Sequence, residues 1–273
     1  MNPRARLSLN RVAKPQLPLV EFLRFTAELG MKLAEVRNDF TEKGVLDGLS
    51  DRELQGALAE TGVQIASINA LYPFEDAEQL ASNVERLKGL LAEAKRVGCA
   101  HIVLCPLNDA KDRRSPSERS GDLVVALNAY GPLFAEAGVV GLIEPLGFEA
   151  CSLRTKRAAL DGIARCTHPG SYALLHDTFH HYLAGEKEFF PKQTALVHVS
   201  GVLAGKPKSA ITDDDRILVT AEDIMDSRGQ VATLLTGGCG APISYEPFSP
   251  AVRAMSVPEL KEAILRSAKF LLG

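Results

Sequence analysis

Several features are missing from this chain of 273 residues, and each absence removes a class of protein. No apolar run approaches the roughly 20 residues that cross a bilayer as a helix, so neither a membrane span nor a membrane partner is expected. The opening, MNPRARLSLN, lacks the apolar stretch of a secretory signal and passes straight into a strand-like segment. Cysteine is sparse: Cys99, Cys105, Cys151, Cys166 and Cys239 are scattered, odd in number and form no CxxC pair. That pattern fits free thiols in a reducing cytoplasm better than a disulfide framework. A formal net charge of −3 offers no broad basic field, which argues against nucleic acid or anionic lipid as a partner. The sequence leaves homo-oligomer formation open.

What is present is alternation. Strand-like runs at 6–10, 32–37, 63–69, 101–105, 139–144, 172–177, 195–199 and 242–246 are separated by amphipathic segments. In 78–97, Leu80, Val84, Leu87, Leu91, Ala94 and Val97 recur at steps of four and three, the period of one helix face. The segment 257–272 repeats this with Leu260, Ile264, Ala268 and Leu271. Gly30, Gly62, Gly98 and Gly138 each fall between a helix pattern and the next strand, where a left-handed cap belongs. Ser50 and Glu53 have the spacing of a capping box.

Eight βα units without a low-complexity linker predict an α/β fold, a closed (β/α)8 barrel in one domain over residues 1–273. An open doubly wound sheet would usually begin with a glycine-rich phosphate loop; the corresponding stretch here is NRVAKPQLP. Residues 200–219 form a long aperiodic loop after the seventh strand, which on a barrel lies on the catalytic face.

Four of the apolar runs carry an acidic residue or a histidine at or near their ends: Glu144 in VVGLIEPLG, Asp177 in YALLHDTFHH, His198 in TALVHVSG and Glu246 in APISYEPFSP. An ionised carboxylate at the end of a buried strand is costly unless paired or bound to a metal. Four such departures predict one oxygen-rich metal site. A rim salt bridge is the competing role for Glu144, but IEPLGF and YEPFSP place Glu144 and Glu246 in the same context. His198 alone would be an ordinary core histidine; beside three strand-end carboxylates it becomes a ligand.

His180, three residues past Asp177, can share its pocket, whereas His176 alternates to the opposite face and is expected toward the helix layer. His181 is a weaker candidate. Asn69, ending the third strand, is expected to bond a substrate hydroxyl. Glu35 and Arg37 share a face two residues apart and are expected to neutralise each other. In the acidic run Asp213 to Asp215, which reads as a solvated face, Arg216 is the neighbour expected to turn inward.

Three carboxylates and an imidazole favour one divalent ion, Mn²⁺, Mg²⁺, Co²⁺ or Zn²⁺, over a thiolate site. Such a centre can hold the carbonyl and neighbouring hydroxyl of a sugar-like ketone and stabilise an enediolate. Two flanking glutamates can take a proton and return it elsewhere.

These segments resemble the xylose-isomerase-like TIM-barrel superfamily of sugar isomerases and epimerases, and within it the 2-keto-myo-inositol (inosose) isomerases of inositol catabolism. The resemblance spans LSLN, EVRND, INALYPF, VLCPLND, IEPLGFEACSLRT, HDTFHHYLAG and ISYEPFSP. It implies metal ligands at Glu144, Asp177, His198 and Glu246, acid/base glutamates at Glu144 and Glu246, and substrate contacts from His180 and Arg216. Ser200 and Gly201 stand where the family commonly has an acidic pair, and 217–220 replace a frequent Pro-Gly-x-Gly turn. Both departures bear on substrate, not on the metal set.

The expectation is a cytoplasmic, metal-dependent isomerase of a small polyhydroxy ketone, with 2-keto-myo-inositol foremost. Ketose 3-epimerase and hydroxypyruvate isomerase are the alternatives with the same chemistry. An endonuclease IV-like nuclease would need further histidines and a basic face; a non-catalytic sugar-binding barrel would not need two strand-end glutamates.

Overall fold

Eight parallel strands close on themselves in chain order, β1 pairing with both β2 and β8. The computed structural model describes residues 3–40 and 43–273. The strands are β1 (Leu7–Asn10), β2 (Leu33–Arg37), β3 (Gln64–Leu71), β4 (His101–Leu104), β5 (Val140–Ile143), β6 (Tyr172–Asp177), β7 (Thr194–Val199) and β8 (Ile243–Tyr245). Around them lie α1 (Leu19–Glu28), α2 (Asp51–Thr61), α3 (Leu80–Val97), α4 (Pro116–Ala137), α5 (Lys156–Arg165), α6 (Thr178–Ala184), α7 (Ser227–Thr236), α8 (Pro250–Ala254) and α9 (Val257–Leu272). The expected barrel is therefore the observed one. Among the described residues, no helix is long and apolar enough to cross a membrane.

The local signals act as their chemistry dictates. Gly30, Gly62, Gly98 and Gly138 all adopt positive φ, between 62° and 75°, closing α1 to α4 before the next strand. Ser50 and Glu53 form the reciprocal capping box of α2. The expected helix 78–97 begins with a 3-10 turn over Ala77–Gln79, and its α-helical part starts at Leu80. β3 runs two residues beyond the expected 69, to Leu71. Loop 200–219 contains two short 3-10 turns, Lys208–Ala210 and Asp213–Asp215, and an antiparallel bridge between Gly201 and Ile217.

Side-chain alternation divides each strand between two cores. Residues such as Leu9, Val36, Ile102, Ile143, Leu174 and Val199 face outward and pack with Phe22, Leu54, Leu127 and Leu260 of the helices. Val103, Leu142, Leu175 and Leu196 form a separate buried cluster inside the barrel. Each stands two residues before Cys105, Glu144, Asp177 or His198, so the same strand face carries an apolar floor and then a polar site. Fully burying a Leu or Val stabilises the fold by roughly 1.5–3 kcal/mol, and this floor offsets part of the cost of the charges above it.

Candidate metal and catalytic site

Glu144 and Glu246 are each the first residue after a strand, and their N–H groups make the last bonds of the ladder, to Leu104 O (3.1 Å) and Val199 O (3.0 Å). Pro145 and Pro247 follow and have no N–H to extend it. Asp177 ends β6 and caps α6: its Oδ1 accepts from the N–H groups of Phe179 (2.7 Å) and His180 (3.3 Å). His198 lies opposite Asp177 in the β6/β7 register.

These four residues converge. One ligand atom from each of Glu144, Asp177, His198 and Glu246 lies within 4.8 Å of every other, and all four side chains are buried. His198 Nδ1 is 3.0 Å from Glu144 Oε1, 3.0 Å from Glu246 Oε2 and 3.9 Å from Asp177 Oδ2. Burial opposes a charge on His198, but Glu246, Glu35 and Glu144 outweigh it and raise its pKa well above the ordinary imidazole range. For Glu246, too, burial opposes ionisation, and His198, Arg216 and Arg37 overcome it, holding the carboxyl well below its usual range.

Arg216 turns inward as expected. Its Nη2 donates to Asp177 Oδ2 (2.6 Å) and Glu246 Oε2 (2.8 Å), its Nε donates to Ser200 Oγ (3.2 Å), and its guanidinium lies over the rings of Phe179 and Phe248. Asn69 donates to Glu246 Oε1 at 3.4 Å. His180 lines the same cavity of about 390 Å³ as Asn69, Glu144, Arg216 and Glu246, and its buried Nδ1 has no partner. His176 faces the helix layer, Nε2 within 3.0 Å of Gln230 Oε1, and His181 contacts Lys156 and Glu186 outside the cavity.

One expectation is overturned. Glu35 and Arg37 do not pair: Arg37 donates to Glu246 Oε1 (2.7 Å) and Asp39, while Glu35 accepts from Asn10 and Ser67 and meets His198. Two residues of one strand face are about 7 Å apart along the strand. Arg37 therefore stands in the mouth layer and Glu35 in the layer below, each nearer to partners across the barrel. Arg37 joins the cavity lining, as does Cys105, whose Sγ donates to Glu144 Oε2 at 3.3 Å. Asn10 donates to Glu246 Oε1 at 3.1 Å. The sequence signal for Asn10 and Cys105 was available: both are polar terminal positions of an apolar strand run.

Burial and charge together fit a divalent ion. Four buried carboxylates, Glu35, Glu144, Asp177 and Glu246, face two buried guanidiniums, Arg37 and Arg216, and one imidazole. Negative charge remains in excess, and an oxygen-rich set with one imidazole nitrogen suits a hard or borderline cation.

The family model for the xylose isomerase-like TIM barrel matches residues 23–272. The chain belongs to this family. Among solved structures, a xylose isomerase domain containing protein from Salmonella typhimurium LT2 is 33% identical, with a TM-score of 0.90 over 99% of this chain and 98% of that one. The IolI protein, solved with a binding zinc atom, has a TM-score of 0.87 at 19% identity over 98% of each chain. D-psicose 3-epimerase, solved in the presence of D-fructose, has a TM-score of 0.74 at 13% identity, covering 98% of this chain and 100% of that one. The last two likenesses show the shared fold. No curated protein matches the chain.

Proposed function

We propose that the chain is a divalent-metal-dependent isomerase of a small polyhydroxy ketone, with 2-keto-myo-inositol as the foremost substrate. The convergence of Glu144, Asp177, His198 and Glu246, of which Glu144 and Glu246 line the cavity, carries the proposal. Those four residues would hold the ion. When bound, it would act as a Lewis acid on the carbonyl and adjacent hydroxyl, favouring loss of the α-proton.

The chain's own groups do the rest. Glu246, ionised at neutral pH, takes the α-proton and passes it to the neighbouring carbon, while the hydroxyl proton moves by way of Glu144 to the former carbonyl oxygen. His180, with its free Nδ1, and Asn69 orient substrate hydroxyls from the wall. Arg216 bridges Asp177 and Glu246, donates to Ser200 and Asp213 as well, and presents its one remaining Nη1–H to substrate oxygen. The zinc-bearing IolI neighbour supports the metal. The psicose epimerase neighbour supports the ketose 3-epimerase alternative, which uses the same proton transfer with return to the opposite face.

The test is exchange of the α-hydrogen with deuterated solvent. Metal-free protein, metal-loaded protein and a panel of inososes and ketoses are compared by NMR. Metal-dependent exchange with 2-keto-myo-inositol is expected; exchange only with ketohexoses selects the epimerase, and none with any ketone rejects both.

A further inference from the structure

Resting on the metal site proposed above, we propose that Glu35 is the positioning carboxylate of His198. It accepts the Nε2 proton of the imidazole and so leaves Nδ1 as the nitrogen free to bind a divalent cation. The geometry is specific. Glu35 Oε2 lies 3.1 Å from His198 Nε2, while the opposite ring nitrogen, Nδ1, is the one turned toward Glu144, Asp177 and Glu246. Both side chains are completely removed from solvent, so no water competes for the Nε2 proton.

A neutral imidazole has one donor nitrogen and one acceptor nitrogen, and the hydrogen bond made by one decides the role of the other. In the neutral ring that binds a cation, the carboxylate fixed at Nε2 keeps the proton there, and Nδ1, on the side of Glu144, Asp177 and Glu246, is the nitrogen that gives its lone pair to the ion. Metal-bound histidines are generally held this way, and the outer partner also raises the basicity of the ligand.

Glu35 is itself anchored by its strand neighbours. Asn10 and Ser67 are its register partners on β1 and β3, and each donates a side-chain hydrogen bond to its carboxylate. Three adjacent strands thus aim one carboxylate of β2 at a histidine on β7, three steps from β2 round the closed barrel. Glu35 contributes no atom to the group of four converging ligands and does not line the cavity. It touches neither ion site nor substrate space, which makes it a positioning residue and not a catalytic one.

The experiment is a Zn²⁺ titration of metal-free protein against a competing chelator, so it needs neither substrate nor turnover. Glu35→Gln should bind Zn²⁺ roughly 10–100-fold more weakly than the parent, the usual effect of losing such a partner. Ser67→Ala, which keeps the carboxylate but removes one anchor, should weaken binding in the same direction by less. Thermal unfolding of the metal-free variants checks that they fold; should Glu35→Gln fail to fold, Ser67→Ala decides. A purely structural Glu35 would change stability and leave affinity alone: folded variants binding Zn²⁺ as tightly as the parent overturn the assignment to Glu35. If the parent itself takes up no divalent ion, the metal site falls, and this role falls with it.

Discussion

Arg216 Nη2 bridges Asp177 Oδ2 at 2.6 Å and Glu246 Oε2 at 2.8 Å, so one guanidinium nitrogen holds two buried carboxylates that would otherwise face each other. Asp177 comes from β6 and Glu246 follows β8, and the bridge reaches them from the loop after β7. Arg216 is therefore part of the charge balance of the barrel mouth as well as a wall of the cavity. Removing it strands buried charge, which typically costs about 3–5 kcal/mol. Metal-free Arg216→Ala should lose stability on that scale in urea unfolding, and saturating Mn²⁺ or Zn²⁺ should recover part of the loss. A variant as stable as the parent without metal would show that the bridge contributes nothing.

The two glutamates make a sharper kinetic pair. Glu144→Gln and Glu246→Gln keep an oxygen ligand but remove the proton acceptor. Each should lower α-hydrogen exchange by about 10²–10⁴-fold, the usual contribution of a positioned general base. Measuring bound metal in the same samples separates loss of the base from loss of the ion. Exchange that survives in a metal-loaded variant would exclude that glutamate from the proton transfer.

Much of this architecture was legible because each signal was local. Buried parallel strands are continuous apolar runs, and glycine closes helices before them, so the eight units could be read in order. Glu144, Asp177, His198 and Glu246 stood out because charge at a strand end needs a reason. Glu35 and Arg37 show where local pattern stops. Period-two alternation says that both face the barrel axis, but it does not say which layer each occupies or what lies across from it. Their partners, His198 and Glu246, are 163 and 209 residues away. Asn10 and Cys105 also end apolar runs, but being neutral they carry a weaker desolvation signal than the four charged positions.

Acid should loosen the outer face of the barrel through Glu186. Burial would raise its pKa, but His181 and Lys156 outweigh that and lower it to about 2 from 4.5. A carboxyl with a depressed folded pKa adds stability above its unfolded pKa and loses it as pH falls through the folded one. The Glu186 contribution should therefore be complete at pH 7 and disappear progressively between about pH 4.5 and pH 2. Glu186→Gln should be less stable than the parent at neutral pH, with the gap narrowing across that window in urea midpoints. A gap that stays constant to pH 2 would contradict the assignment.

Gly147, in the loop after β5, has an ordinary negative φ, and its importance is spatial. A Cβ there would collide with the backbone oxygen of His180 and come within 2.7 Å of Ala184 N, both on α6. Backbone cannot swing aside as a side-chain tip can, so Gly147→Ala must push α6 away from the loop. Overpacking of this kind costs typically 1–3 kcal/mol. The displaced helix carries His180 on its first turn, while Asp177 at its cap is also tied to Arg216. The disturbance should therefore fall mainly on the substrate wall. In Gly147→Ala we expect a lowered Tm and a raised KM, with Zn²⁺ affinity changed much less than in Glu35→Gln. Chelator competition and substrate titration on one preparation measure both, and unchanged KM would show that α6 can shift without moving the His180 ring.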